Sequence, residues 1–338
     1  MDPRSGAILG LAHADFLSRT QGKAADRRSR LVAEKKSQRW LDGACHAAAV
    51  CQSAARLTVV GDQENDIYQA FAACPPGADL LVRAAHDRAL GDGGRLFAHL
   101  DALPIAGWTG FELPAAPGRK ARPVQLAIRF TATRIAHPRK GRREGPESLA
   151  VTLIDVREPA PPPGAAAIHW RLMTTQRVAS VEDALDVVGL YRQRWTIEHL
   201  FRTLKTQGFD IENLRIEDEV PLRGLVMATL LAAVTIQQLV HAREGNAMPG
   251  PLRPVTDAFE PEDQPLLEAF CTRLEGRTQR QKNPHPRGSL AYAAWVCARL
   301  GGWTGYYGKP GPIFMLNGWR YFQAAKAGAR LHATAKNV

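Results

Sequence analysis

Apolar and polar residues follow two different periods in the first part of the chain. The apolar runs Gly6–Ala12 and Leu57–Val60 are short and bounded by turn-forming residues, which predicts strands. Trp40–Ala55 is rich in alanine, and Ile67–Phe71 follows a Gly-Asp turn, so both segments are predicted to be helical. Strands that alternate with helices are typical of an α/β fold with a parallel element.

The pattern changes between residues 80 and 170, where short apolar runs alternate with proline, glycine and basic clusters. Val124–Phe130 and Leu149–Val156 predict strands, and Pro159–Gly164 predicts an exposed loop. We interpret this region as a β-rich insertion. Its positive charge is concentrated at Arg119, Lys120, Arg122, Arg129, Arg134, Arg139, Lys140, Arg142 and Arg143.

The second half of the chain is predicted to be mostly helical. Trp170–Met173 is a further strand candidate, and Val181–Leu204 forms one helix or two. Leu225–Ala242 is apolar but interrupted by threonine and glutamine, so we expect a buried helix and not a membrane span. Helices continue to about Leu331.

Composition narrows the class of partner. The 338 residues carry a formal net charge of +11 and a pI near 9.7, which favours nucleic acid or an anionic surface. A GC-rich genome that encodes much arginine and alanine is the alternative. The five cysteines form no C-x-x-C pair, which argues against a disulfide framework and against a structural zinc site.

The segment Tyr191–Lys205 carries the most informative chemistry. At about 100° per residue on one helix, Tyr191, Arg194, Glu198 and Lys205 fall on one polar stripe beside an apolar stripe. Arginine, lysine and tyrosine suit phosphate oxygens, and a carboxylate among them suits a divalent metal. The alternative is a solvated helix face with Arg194–Glu198 as an i,i+4 pair. The predicted apolar stripe comprises Leu190, Ile197, Phe201 and Leu204.

This Y-x2-R-x3-E-x6-K spacing resembles the signature of DDE transposases of the insertion-sequence-4 family. The resemblance implies that Glu198 is the third acidic residue of the catalytic triad. It also implies that Tyr191, Arg194 and Lys205 contact DNA phosphates, and that Mg²⁺ or Mn²⁺ is the cofactor. The implied fold is α/β, with a ribonuclease-H-like core, a β-rich insertion and a helical C-terminal region.

A second motif, Val59–Tyr68, resembles the segment that carries the family's second aspartate, here Asp62. Asp62 and Glu198 are therefore the expected catalytic and metal-binding residues, although Asp62 could instead cap the helix that follows. Glu64 and Asp66 are expected to orient or cap. The resemblance further implies that Trp170 and Arg83 contact a base flipped from the transposon end. A tryptophan in the core is the alternative for Trp170.

The chain departs from the family at its beginning. The strand that should carry the first aspartate is not visible, so we expect an N-terminally truncated transposase. Three acidic residues are candidates to substitute for it, and we expect none of them to do so. Asp2 fits a turn, Asp15 follows a predicted strand whose antiparallel pairing would leave it at the wrong end of the sheet, and Asp26 lies in a charged loop.

The sequence therefore predicts four regions. Residues 1–79 begin the catalytic core, 80–170 form the basic insertion, 171–245 complete the core, and 246–338 form a helical region in which Gly288–Gly302 resembles a dimer contact. We expect metal-dependent cleavage at transposon ends and strand transfer, on double-stranded DNA, by a homodimer in the bacterial cytoplasm at the nucleoid. The alternative is a non-catalytic protein that binds DNA or a full-length partner.

Overall fold

The computed structural model describes residues 1–16, 38–113, 119–139, 145–245, 252–306 and 308–335. Four charged residues named in the sequence analysis, Asp26, Lys140, Arg142 and Arg143, lie outside the described residues. The chain divides into two compact units, each described by itself below. Residues 12–194 form a sheet unit, and residues 1–11 with 195–338 form a helical unit.

The sheet unit is built on one mixed sheet of six strands. Its order is β1-β2-β6-β5-β4-β3; β1 and β2 are parallel, and every other neighbouring pair is antiparallel. The strands are β1 (Leu57–Gly61), β2 (Ala78–Arg83), β3 (Gly107–Leu113), β4 (Arg122–Ala136), β5 (Ser148–Arg157) and β6 (His169–Thr174).

Both faces of this sheet are buried, because successive side chains of a strand point to opposite faces. Leu80 and Val82 belong to the core on one face, and Leu81, between them, belongs to the core on the other. Helices line the sheet: α1 (Gln38–Val50), α2 (Tyr68–Ala72), α3 (Leu96–Ala102) and α4 (Val181–Gln193). This mixed sheet with helices confirms the predicted α/β class, and the strands of the predicted insertion join the same sheet.

The helical unit contains α5 (Trp195–Lys205), α6 (Glu219–Ala242), α7 (Gln264–Leu274), α8 (Leu290–Leu300) and α9 (Pro312–Ala335). Its centre is α8, where every residue from Leu290 to Ala298 is buried. The segment Gly288–Gly302, which resembles a dimer contact in sequence, contains α8, and the side chains of α8 pack within their own chain.

The predicted strand at Gly6–Ala12 is wrong, because these residues have no strand partner among the described residues. Ile8 instead packs against Leu200, Leu204 and Val234 of the helical unit. The amide of Gln238 donates a hydrogen bond of 2.8 Å to the Ile8 carbonyl. Helix packing and a side-chain donor thus replace the sheet neighbour that the apolar run suggested.

Helix α6 is long and apolar enough to cross a membrane by length and composition alone. Core helices of globular proteins pass the same test, and here Ala233, Ile236 and Leu239 are fully buried within the helical unit. This burial agrees with the predicted buried helix.

Candidate functional site

Two parallel strands end together at one edge of the sheet. Gly61, the last residue of β1, pairs with Val82 of β2, so Asp62 follows β1 directly at a position next to Arg83, the last residue of β2. Because β6 runs in the opposite direction, its first residues lie at the same edge. Open α/β sheets bind ligands in the crevice outside the carboxyl ends of their strands.

Asp62 lies at the start of a 3₁₀ turn, Gln63–Asn65. One of its carboxylate oxygens accepts a hydrogen bond of 2.9 Å from the Glu64 backbone N–H. Asp62 therefore caps the turn, as the structural alternative predicted, with one oxygen only. The other oxygen has no hydrogen-bond partner among the described residues, and the side chain is half-buried. Capping thus leaves a ligand position on Asp62, and its metal role stays a prediction.

Asp66 has a structural role in the same motif. Its buried carboxylate pairs with Arg88 at 2.5 Å and accepts hydrogen bonds from the backbone N–H groups of Ala85 and His86. These contacts join the turn after β1 to the segment after β2. Glu64 is exposed and pairs with Arg39 at 2.8 Å. Asp66 thus orients the motif, whereas Glu64 makes a surface ion pair and its orienting role stays a prediction.

Arg83 and Trp170 lie on adjoining strands near Asp62. The Arg83 guanidinium donates a hydrogen bond of 3.1 Å to the His169 carbonyl. Trp170 packs between Phe111 and Tyr191, with ring centroids 6.4 and 5.6 Å away. Trp170 is thus partly in the core, as its structural alternative predicted, while it remains half-exposed at the sheet edge.

Tyr191 near the end of α4 joins this edge. Its side chain is only 2% exposed. Burial raises the pKa of the Tyr191 phenol, the nearby Arg194 and Arg83 cations lower it, and the Asp62 carboxylate raises it. The Arg194 guanidinium carbon lies 5.9 Å from the centre of the Tyr191 ring. The structure therefore brings together five predicted residues: Asp62, Arg83, Trp170, Tyr191 and Arg194.

The segment that the helical wheel treated as one helix is two helices in the structure. Helix α4 ends at Gln193 and α5 begins at Trp195, and between them the Arg194 backbone N–H donates to the Tyr191 carbonyl at 3.1 Å. The polar stripe counted along one helix from Tyr191 to Lys205 stays a prediction. The predicted apolar stripe is wrong in part, because Ile197 and Phe201 are about half exposed.

Glu198 and Lys205 belong to the helical unit. Helix α5 buries Leu200, Thr203 and Leu204, and Glu198 is half-buried in its first turn. The Lys205 ammonium forms an exposed ion pair of 2.7 Å with Glu212. Both residues thus lie on an amphipathic helix, away from its buried face.

Comparison with known families decides the class of the protein. A family model described as the transposase DDE domain matches residues 12–235, which is more than half of the chain. The chain belongs to the DDE-domain transposase family. The match includes the Asp62 motif and the whole of α5.

Three arginines of the transposase's β-rich region make contacts within the chain. Arg122 forms a bidentate ion pair with the buried Glu158, and Arg129 pairs with the buried Asp155 at 3.2 Å. Arg134, which is exposed, donates to Ser148. Arg122 and Arg129 are thus mostly buried ion-pair partners that stabilise the sheet, so their charge is not available to DNA.

The sequence interpretation missed a polar row across the transposase sheet. Arg129, Asp155 and Arg171 lie directly opposite one another on β4, β5 and β6. Asp155 is fully buried and also accepts a hydrogen bond of 2.6 Å from His169. This row fixes β6, the strand that carries Trp170. The sequence signal for this row was Asp155 itself, a single aspartate within the apolar run of β5.

The acidic residues fit a divalent metal only together with a substrate. Among the described residues, no group of three or more histidine, cysteine or acidic side chains could hold a metal ion. Mg²⁺ is commonly bound by one or two carboxylates together with substrate phosphates. Asp62 and Glu198 each carry carboxylate oxygens of the kind that Mg²⁺ prefers, and their role as metal ligands stays a prediction.

Proposed function

We propose that this transposase cuts DNA at transposon ends and joins the freed 3′-OH to target DNA, as a member of the insertion-sequence-4 group. The observation that carries the proposal is the grouping of Asp62, Arg83, Trp170 and Tyr191 at one edge of the sheet. The proposed core is ribonuclease-H-like. The four regions 1–79, 80–170, 171–245 and 246–338 remain our proposed functional division.

Asp62 and Glu198 are the proposed ligands of Mg²⁺ or Mn²⁺. A divalent ion supplies a lowered pKa for an attacking water and stabilises the charge that develops on the phosphate. The protein's own role is to present these two carboxylates. The turn that Asp62 caps holds the first, and the first turn of α5 carries the second.

Tyr191, Arg194 and Lys205 are the proposed phosphate contacts. The Tyr191 phenol, like that of an ordinary tyrosine, is protonated at neutral pH, so it can donate a hydrogen bond to a phosphate oxygen. Lys205 is paired with Glu212, but exposed ion pairs contribute only about 0–1 kcal/mol. Exchange of Glu212 for a phosphate therefore costs little.

Arg83 and Trp170 are the proposed contacts to an unstacked base. An aromatic face half-exposed beside a cation suits stacking, which is worth about 1–3 kcal/mol per base. The rings of Phe111 and Tyr191 pack against Trp170, so the indole is held in place before DNA arrives.

We further propose that the protein acts as a homodimer on DNA in the bacterial cytoplasm. Because α8 is buried, a dimer contact in the C-terminal region would use the outer face of α9, where Ile313, Phe314 and Tyr321 are exposed.

Metal-dependent nicking of plasmid DNA tests the proposal. We expect nicking with Mg²⁺ or Mn²⁺ that falls by at least about a thousandfold in Asp62→Asn and in Glu198→Gln, because each substitution removes a proposed ligand. Glu64→Gln is the matched control, since Glu64 lies two residues from Asp62 and is exposed in a surface ion pair with Arg39. DNA binding without nicking in the wild type would support the alternative, a non-catalytic DNA-binding protein. Equal nicking by Asp62→Asn would refute the assigned site.

A further inference from the structure

The helical unit contains an open cleft of about 370 Å³ beyond the residues that match the transposase family. Ten described residues line it: Arg243, Gln279, Arg280, Lys282, Pro284, His285, Ala294, Trp295, Trp303 and Pro310. Three of them, Arg243, Arg280 and Lys282, are cations, and none is acidic. The cleft is therefore a local excess of positive charge.

The rim that carries two of these cations is held in a fixed shape. Thr278 and Gln281 cap each other's backbone N–H groups around the 3₁₀ turn Gln279–Gln281. The Gly276 backbone N–H donates to the Gln281 carbonyl, which closes the segment back on the end of α7. Arg280 and Lys282 thus extend from an ordered turn.

The opposite wall is also fixed by hydrogen bonds. The Arg299 guanidinium donates to the carbonyls of Leu274, Trp303 and Thr304. Arg243 donates to the Pro310 carbonyl at 2.8 Å. The two walls therefore form a pre-organised cleft, which lowers the entropic cost of binding.

The cations of the cleft differ in how they are used. The Arg243 guanidinium forms an ion pair with Glu244, with 3.6 Å between Nε and Oε1, and also holds the Pro310 carbonyl. The side chains of Arg280 and Lys282 are exposed, with neither an ion pair nor a hydrogen bond in the part of the chain that the structure describes. Arg280 and Lys282 are therefore two cations on a fixed rim whose charge is available to an external anion. The half-buried Trp303 adds an apolar surface to the same cleft.

We infer that this cleft is an additional DNA-contact site, at which Arg280 and Lys282 bind backbone phosphates. The inference rests on the proposed function for the identity of the polyanion. The cations lie on the exposed rim of the cleft, where backbone phosphates can reach them, and such contacts position DNA without reading its sequence.

Salt-dependent DNA binding by full-length variants tests the inference. Arg280→Gln/Lys282→Gln is expected to weaken binding to a short duplex by about tenfold and to reduce the slope of log K against log salt by about 2, roughly 0.9 for each lost phosphate contact. The control is Arg273→Gln/Arg287→Gln, which removes the same charge from exposed positions outside the cleft. It should change neither quantity by a comparable amount.

The outcomes separate the inference from the proposed function. If the wild type binds DNA and the cleft variant behaves like the control variant, the inference is overturned and the proposed function survives. If the wild type binds no DNA, both fall. Unchanged thermal unfolding of both variants checks that charge, and not folding, is responsible. A photo-crosslinker at the cleft residue Gln279 should label DNA in the wild-type background, and failure to do so counts against the inference.

Discussion

Two acidic residues of one motif, Glu64 and Asp66, show how burial changes what a carboxylate contributes. The side chain of Asp66 is fully buried against Arg88, whose side chain is 8% exposed. The Glu64 side chain is 70% exposed in its pair with Arg39. Water screens the second pair and is excluded from the first, so their contributions to stability should differ although their sequence positions are almost the same.

Asp66→Asn should lower the free energy of unfolding by about 3 kcal/mol, because it leaves the Arg88 charge buried without its partner. Glu64→Gln should lower it by less than about 1 kcal/mol. Urea unfolding followed by circular dichroism measures both. Equal effects from the two variants would show that the ion pair of Asp66 is not the source of its contribution.

Residue types and spacing could predict which residues gather at the edge of the sheet, namely Asp62, Arg83, Trp170, Tyr191 and Arg194. They could not predict how far each side chain is buried or which partner it contacts. Asp62 and Arg83 follow apolar runs that became parallel strands, so their proximity follows from the strand pattern. The burial of Tyr191 does not, because it depends on Trp170 from β6, a distant part of the chain. The engagement of Arg122 by Glu158 likewise depends on a strand pairing that charge alone does not reveal.

At the scale of elements, the apolar runs of the sheet core were reliable predictors of strands, and the apolar run at Gly6–Ala12 was not. The runs in β4 and β5 predicted strands correctly, because the side chains on both faces of these strands are buried. The run at Gly6–Ala12 failed because helices, and not strands, are its neighbours. The helical wheel assumed one helix from Tyr191 to Lys205, whereas α4 ends at Gln193 and α5 begins at Trp195. The tertiary contacts that decide such cases are not contained in a local pattern.

The crossing of α8 and α9 depends on a glycine at the point of closest approach. A Cβ on Gly318 would lie 1.7 Å from the Cys297 carbonyl oxygen, whereas a Cβ on Gly328 of the same helix would have no neighbour within 4 Å. Gly318→Ala should therefore force the helices apart and lower the free energy of unfolding by about 3 kcal/mol. Gly328→Ala should raise it by up to about 1 kcal/mol, because alanine favours the helix.

Thermal unfolding of these two α9 variants measures the contrast. The matched pair separates close packing from helix propensity, since both substitutions add the same methyl group to one helix. A stabilised Gly318→Ala variant would contradict the close crossing of α8 and α9.

At the scale of the whole molecule, charge and burial act in different places. The net charge of +11 predicted a nucleic-acid partner, yet many arginines of the sheet unit stabilise its own strands. The exposed cations at the cleft and on α5 are the better candidates for DNA contact. Formal charge therefore indicates the class of partner, and burial decides which cations can reach it.

Acid should weaken the two units in different pH windows. Burial lowers the pKa of His241 and His285 in the helical unit below the ordinary value of 6.5. Their unfolded forms bind protons first, so stability falls as the pH drops below about 6.5. In the sheet unit, the Arg122 hydrogen bond lowers the pKa of Glu158 below its ordinary value of 4.5. Its contribution is present above that value and is lost at lower pH.

Urea unfolding of the wild type and of His241→Asn between pH 4 and pH 8 tests this order. The variant keeps a donor for the Gly6 carbonyl, which lies 3.3 Å from the His241 ring, but cannot take up a proton. Between about pH 6.5 and pH 5 its stability should fall less steeply, by at most about 1.4 kcal/mol per pH unit. Below pH 4.5 the two proteins should lose stability in parallel, because Glu158 is unchanged. Identical slopes in the upper window would show that His241 titrates alike in the folded and unfolded chain.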